Sequence, residues 1–271
     1  MSERLVTTGE RCELASPTAM PQASAFLWNP RLLLQVNCRG FVTAQHLQPG
    51  PAKYSHAPNL EARSFMQPEQ PVYAHHPGRF VYLRDEDDGA RFSAPYEPVR
   101  RRPDTFRFSA GAADVRWDLE YARIRLCWQV ELPPTHAVEL WSLVVENTDT
   151  RARRWSMFPY FTIGYMSWMN QSAAYRPELG GIVARSVTPY QKLEDYERVL
   201  TLKDRTCLLH DTEPKSWETI QAAFEGEGGL HDPGALHGPE LGRGEAAYET
   251  PAAVLHYPLT LAPGEQRRFR F

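Results

Sequence analysis

The sequence predicts an all-β chain, a large two-layer antiparallel β-sandwich with one or two short helices. Three observations lead there. Apolar residues recur at period two in several runs. Helical faces are scarce. Turn formers are abundant, with 23 Pro and 17 Gly, and they separate runs rich in aromatic and β-branched residues. Alternating faces need a second layer to cover them. Composition does not break along the 271 residues, so one domain over residues 1–271 is expected.

The elements follow in chain order. Leu32 to Val36, the turn Asn37-Cys38-Arg39-Gly40, and Phe41 to His46 read as strand, turn, strand. Residues 49–77 are rich in proline and read as an ordered loop, because Tyr54, Leu60, Phe65, Met66 and Tyr73 give it apolar surface to bury. Arg79 to Leu83, the turn Asp85 to Gly89, and Arg91 to Ser93 form a second hairpin. Strands are expected near Thr105 and Val115. Ile124, Leu126, Trp128, Val130 and Leu132 alternate with Arg125, Gln129 and Glu131, the pattern of a half-buried strand. Val138 to Val145 is apolar on both faces and reads as a central strand. Asn147-Thr148-Asp149-Thr150 then turns the chain, and Arg154 to Ile163 is expected to return as that strand's partner. Trp128, Trp141 and Trp155 lie inside strands and are expected in the core. Asn170 to Pro177 is a polar loop, and further strands are expected near Ile182, Cys207, Val254 and Phe269. The best helical face begins at the N-cap Ser216, with Trp217, Ile220, Gln221 and Phe224 on one side. Gly226, Gly228 and Gly229 end it at once.

Charge and hydropathy exclude several functions. The 30 Lys+Arg against 33 Asp+Glu leave a net charge of −3 and no basic excess for a nucleic-acid backbone. No run reaches the roughly 18 apolar residues of a membrane span. The N-terminus is polar and acidic where a signal peptide is apolar, so a cytoplasmic protein is expected. Cys12, Cys38, Cys127 and Cys207 lie far apart and read as free thiols, since their spacing does not support a zinc site.

Several clusters invite a chemical reading. Asp85-Glu86-Asp87-Asp88 offers four carboxylates, but Gly89 closes them into what reads as a solvated hairpin turn. His75 and His76 are adjacent, and in extended chain they point to opposite faces, which disfavours a shared ion. No metal site is therefore expected. Arg100-Arg101-Arg102 reads as a solvated edge. Asn170-Gln171-Ser172 fits a glycosylation sequon, which a cytoplasmic chain would not use. Nucleotide-loop, serine-hydrolase and zinc-protease motifs do not occur in the sequence. Trp168 and Tyr175 flank the polar loop, where two readings stand open: stacking on a sugar ring, or capping the sandwich.

Several runs in order resemble one family. They are Gly78-Arg79-Phe80-Val81-Tyr82-Leu83-Arg84-Asp85-Glu86-Asp87 with Phe92-Ser93 and Pro98-Val99, then Val138-Glu139-Leu140-Trp141-Ser142-Leu143 with Asn147-Thr148. Arg153-Arg154-Trp155-Ser156-Met157-Phe158-Pro159-Tyr160 follows, and Leu261-Ala262-Pro263-Gly264-Glu265 precedes the last strand. The early Asn37-Cys38-Arg39-Gly40-Phe41 hairpin end and Asp232-Pro233 also have counterparts. Together these are similar to glycoside hydrolase family 94, the inverting disaccharide phosphorylases. The resemblance implies an N-terminal β-sandwich, or supersandwich, followed by a helical linker and a catalytic (α/α)6 barrel absent from this chain. It places the catalytic acid and the phosphate site on that barrel, so no catalytic residue is carried over. Thr162 stands where the family has an acid, and the loop from Ser167 to Arg176 differs from the cellobiose and chitobiose versions.

The implied function is phosphorolysis of a β-linked disaccharide or oligosaccharide, with inorganic phosphate as co-substrate and no cofactor. This chain would supply homodimer contacts and one loop at the edge of the active site. The candidate substrate-binding residues are Trp168, Asn170, Gln171, Tyr175 and Arg176. The rival reading is a non-catalytic carbohydrate-binding or assembly module acting with a separate catalytic chain.

Overall fold

A computed structural model describes residues 5–46, 78–163, 172–185 and 205–271. Among them, strands form four sheets. The largest has the order β1 (Val6–Thr8), β2 (Arg11–Leu14), β8 (Thr105–Ala110), β9 (Asp114–Tyr121), β10 (Ile124–Glu131), β11 (Leu140–Asn147), β19 (Gln266–Arg270). A five-stranded sheet runs β16 (Ser216–Ile220), β18 (Pro251–Leu261), β12 (Arg153–Thr162), β6 (Arg79–Asp85), β7 (Arg91–Ala94). A three-stranded sheet holds β3 (Ser24–Trp28), β4 (Leu32–Asn37) and β5 (Val42–His46), and meets the start of β6 at the Phe41–Gly78 bridge. The fourth sheet runs β15 (Arg205–Leu209), β14 (Gly181–Arg185), β13 (Ser172–Arg176), β17 (Ala246–Ala247). All pairings are antiparallel. The expected all-β sandwich is the fold observed, and no helix among the described residues is long and apolar enough to cross a membrane.

Period two builds the main core. On β9 and β10 every second residue is buried, and direct register sets Trp117 opposite Trp128. The rings of Phe108, Trp117, Trp128 and Trp141 run across four strands with centroids 5.2 to 5.4 Å apart. Such cross-strand aromatic contacts add to the gain from area burial. From the facing sheet Val81, Leu83, Trp155, Met157, Leu255 and Leu259 complete this core.

The five-stranded sheet is buried on both faces. Phe80, Tyr82, Phe158, Tyr160 and Val254 point away from the main core, under a cover formed by α1 (Gln221–Glu225) and the 3-10 turns over Gly226–His231 and Gly234–His237. Phe224, Leu230, Leu236 and Leu241 fill the space between. This explains why β6 is buried at every position.

Two expectations need correction. Arg153–Thr162 is a strand, but it does not pair with Leu140–Asn147; it joins β18 and β6 in the facing sheet. The partners of β11 are β10 and β19. Asn147 directs the chain across the gap: its side-chain amide donates to the carbonyls of Arg151 (2.8 Å) and Leu261 (2.9 Å), so the turn opens between layers. The helix expected from Ser216 starts only at Gln221, because Ser216–Ile220 is a strand paired with β18. Neighbouring strand β18 overrides the local helical spacing there.

Two titrating groups sit on the covered face. His256 is 1% exposed, its ring lies parallel to Phe158 at 4.5 Å, and its nitrogens meet Ser156 Oγ (2.9 Å) and Ser216 Oγ (3.2 Å). Burial, then Arg84 and Lys215, lower its pKa to about 4. Burial raises half-buried Glu225 to about 7, against a hydrogen bond from Gln221 (2.5 Å). Below pH 6.5 the unfolded chain protonates a histidine that the folded chain keeps neutral, so His256 makes stability fall as pH drops toward 4. Above pH 4.5 the unfolded chain ionises a glutamate that the folded chain keeps protonated, so Glu225 makes stability fall as pH rises toward 7.

These two slopes oppose one another between pH 4.5 and 6.5. Glu225→Gln removes one of them. Urea titrations are expected to show its stability relative to wild type improving by about 2 kcal/mol from the lower pH to the higher. In the main core, Trp128→Ala is expected to cost about 3–5 kcal/mol in the same assay, because Trp128 is fully enclosed by its aromatic neighbours.

Candidate functional site

The loop expected over Asn170 to Pro177 is a strand where the structure describes it: Ser172–Arg176 forms β13, paired with β14 and β17. Trp168, Asn170 and Gln171 fall outside the described residues; Tyr175 and Arg176 fall on β13. A four-residue turn with Pro177 at its start and Gly180 at φ +65° folds β14 back onto β13. Gly181 follows where a Cβ would meet the Leu208 carbonyl oxygen at 2.2 Å, so only glycine lets β15 pair this closely.

Tyr175 is 9% exposed, and its ring stacks on Trp217 with centroids 4.0 Å apart. Its hydroxyl meets His210 Nε2 at 2.9 Å, and that imidazole lies parallel to it at 5.9 Å. Burial raises the tyrosine pKa and lowers that of His210, so both stay neutral near pH 7. Arg243 lies over the Trp217 ring at 5.3 Å. The Thr219 hydroxyl lies 3.0 Å from the Ala173 carbonyl and accepts from the Ala246 N–H at 2.8 Å. The start of β13 is thus fastened to β16 and β17. Arg176 points to solvent and makes one exposed pair with Glu245, at 3.7 Å, a geometry that contributes little and leaves the guanidinium exchangeable.

Trp217, His210, Thr219 and Arg243 were not among the sequence candidates. The first three reach Tyr175 and Ala173 from 35 or more residues away, Arg243 reaches Trp217, and no local pattern announces a cross-sheet stack.

The carboxylates of the acidic turn are taken up by ion pairs and turn hydrogen bonds. Buried Asp85 pairs with Arg153, and its Oδ1 accepts the Asp87 N–H at 2.9 Å. Glu86 pairs with Arg84 at 2.7 Å, and Asp87 with Arg154 at 3.1 Å. Asp88 Oδ1 accepts the Ala90 N–H at 2.7 Å. Asp85 and Asp87, which also approaches Arg153 at 3.4 Å, hold the β6–β7 turn to β12, while Asp88 bonds within the turn. All three arginines of the basic run are exposed, and Arg100 also pairs with buried Glu97 at 2.9 Å. His75 and His76 lie outside the described residues. Among the described residues no three His, Cys, Asp or Glu side chains are placed to share an ion. All four cysteines are free.

Asp85 is 1% exposed and Arg153 8%. Asp85→Ala strands a buried guanidinium and is expected to destabilise the fold by about 3 kcal/mol. That is the low end for a broken buried pair, because Asp149 stays 2.9 Å from Arg153. Chemical denaturation measures it, and a cost within about 0.5 kcal/mol would be that of an ordinary surface site.

Residues 52–271 match the family described as "Glycosyl hydrolase 94, supersandwich domain". A cellobionic acid phosphorylase of Neurospora crassa is 56% identical over 97% of this chain, which covers 33% of that protein. A 3-O-beta-D-glucopyranosyl-beta-D-glucuronide phosphorylase of Paenibacillus borealis is 26% identical over 69% of the chain and 25% of its own length. An N,N'-diacetylchitobiose phosphorylase of Vibrio proteolyticus is 26% identical over 72% of the chain and 25% of its own length. Among solved structures, a polysaccharide lyase superposes with a TM-score of 0.50 at 10% identity, covering 91% of this chain and 32% of that one, which shows likeness of fold alone. The chain therefore spans about a third or less of the length of these curated relatives, and it belongs to the glycosyl hydrolase 94 family through its supersandwich domain.

Proposed function

We propose that this chain is the N-terminal sandwich of an inverting β-glycoside phosphorylase whose substrate is cellobionic acid. The carrying observation is the 56% identity, over 97% of the chain, to a cellobionic acid phosphorylase. In this reading a catalytic (α/α)6 barrel supplies the acid that protonates the glycosidic oxygen. Inorganic phosphate attacks the anomeric carbon from the opposite face, which inverts the centre. No cofactor takes part. The complete enzyme is a cytoplasmic homodimer, and this chain lends it subunit contacts and one loop at the active-site edge.

The loop's chemistry suits that substrate. Asn170 and Gln171 each carry an amide that donates to and accepts from sugar hydroxyls. Trp168 offers an apolar face to a sugar ring. Arg176 is exposed and, among the described residues, pairs loosely with Glu245, which suits exchange with an aldonate carboxylate or phosphate. Tyr175, with its ring on Trp217, anchors the loop's end and sets where Arg176 emerges.

The test is kinetic and uses the full-length enzyme in the synthetic direction. Asn170→Ala, Gln171→Ala and Arg176→Ala are expected to fold normally and to raise KM for the acceptor, with kcat nearly kept, as loss of uniform binding does. A neutral hydrogen bond is worth about 0.5–1.5 kcal/mol and one to a charge about 1.5–3, so the rise spans a few-fold to about a hundredfold. Arg176→Ala is expected to discriminate most against gluconate compared with glucose as acceptor. Wild-type kinetics in all three variants would confine the acceptor site to the barrel.

A further inference from the structure

The outer face of the three-stranded sheet carries two large uncovered rings. Phe26 and Trp28 lie two residues apart on β3, so they share one face, and they are 52% and 68% exposed. Isolated exposed apolar residues are ordinary, but adjacent aromatics on one sheet face mark a contact surface. Trp28 stands in an open groove of about 610 Å3 walled by Pro30, Ala112, Ala113, Leu132 and Pro134.

The groove wall is rigid. The Asn29 side-chain amide donates to the carbonyls of Pro133 (2.7 Å) and His136 (2.8 Å), and its Oδ1 accepts from the N–H groups of Arg31 (2.8 Å) and Leu32 (2.9 Å). One side chain thus fixes both the β3–β4 turn and the segment after β10. On the sheet face, register sets exposed Gln35 opposite Phe26 and half-buried Leu33 opposite Trp28.

Three features select the occupant. No residue lining the groove ionises, so it offers nothing to a charged ligand. Its volume falls within the roughly 300–1,000 Å3 of small-molecule clefts. A sugar ring has an apolar face and a rim of hydroxyls, and the surface presents aromatic rings beside an amide.

We propose that Trp28 and Phe26 form an accessory carbohydrate platform, with Trp28 stacking one ring of a neutral oligosaccharide and Phe26 supporting the next. Gln35 meets hydroxyls at the Phe26 end. The platform is on a different sheet from β13, and it shares with the phosphorylase reading only the saccharide class of its ligand.

Calorimetric titration of the 271-residue chain with cellohexaose tests it. Binding is expected, weakened about tenfold by Trp28→Ala and less by Phe26→Ala. Both variants keep the wild-type melting temperature, since neither ring is in the core. Gln171→Ala, which tests the active-site loop, leaves this binding unchanged. No binding by wild type, or binding that survives both aromatic changes, overturns the platform. Loss in Gln171→Ala with retention in Trp28→Ala also overturns it, by moving the sugar to the loop. Light scattering gives the remaining outcome: a dimer that Trp28→Ala converts to monomer, without sugar binding, makes the patch a self-contact and refutes the proposal.

Discussion

Asn147 joins the two layers, and much of the sandwich depends on that joint. The chain passes between the large sheet and the five-stranded sheet twice at this point, from β11 to β12 and from β18 to β19. Asn147 is fully buried, and its amide reaches the carbonyls of Arg151, Leu261 and Ala262 while its Oδ1 accepts from Asp149 N–H at 2.9 Å. Its own backbone donates to Glu265 and accepts from Gly264. A buried amide with every bond made specifies geometry, because losing any one leaves a desolvated polar group unpaired. At the other end of β11, buried Arg79 of β6 pairs with Glu139 at 2.5 Å and lies 4.0 Å over the Phe161 ring. The layers are thus registered at both ends of one strand, with the tryptophan ladder filling the space between.

This explains what the family-like runs are for. Asn147-Thr148 and Leu261-Ala262-Pro263-Gly264-Glu265 are more than a hundred residues apart in sequence and meet at one joint. Asp85 and Asp87 in the first run and Arg153 and Arg154 in another meet as ion pairs across β6 and β12. The recurring polar residues in these runs therefore position strands. Positions that read as acid or base candidates in the sequence hold turns to neighbouring strands, which is why their residue types suggested chemistry while their context did not.

Hairpins with a turn signature were legible. The Asn37–Gly40 and Asp85–Gly89 turns punctuate alternating runs, and register follows from the turn. The β9–β10 connection has no such mark: Ala122 and Arg123 both adopt positive φ with neither Gly nor Asn present. The crossing at Asn147 was misread because a turn signal gives the reversal and not the sheet that receives the next strand. Ser216–Ile220 was misread because a run buried on both faces satisfies helical and extended spacing alike, and only its pairing with β18 decides. Of the residues in the expected loop, Tyr175 and Arg176 lie on strand β13. The sequence could not give their roles, since those depend on Trp217, His210 and Glu245 brought in from elsewhere.

The anchoring of β13 bears on how such a loop could discriminate among substrates. A polar group selects an acceptor only if its position is held within a fraction of an ångström, because a mobile side chain gives back in ordering entropy what it gains in contact. Loops gain that precision from their ends. Here Ile163 is buried in the main core just past β12, and Ala173, Ala174 and Tyr175 are buried at the other end, with Thr219 and Trp217 fixing backbone and ring. The neutral Tyr175–His210 contact adds no charge beside Arg176, and among the described residues its guanidinium pairs with the loose, solvated Glu245. An anionic acceptor group near Arg176 would compete with one exposed carboxylate, a far smaller barrier than breaking a buried pair such as Arg153–Asp85. Buried ion pairs such as Arg153–Asp85 and Arg79–Glu139 join strands, whereas the Arg176–Glu245 pair is solvated and weak.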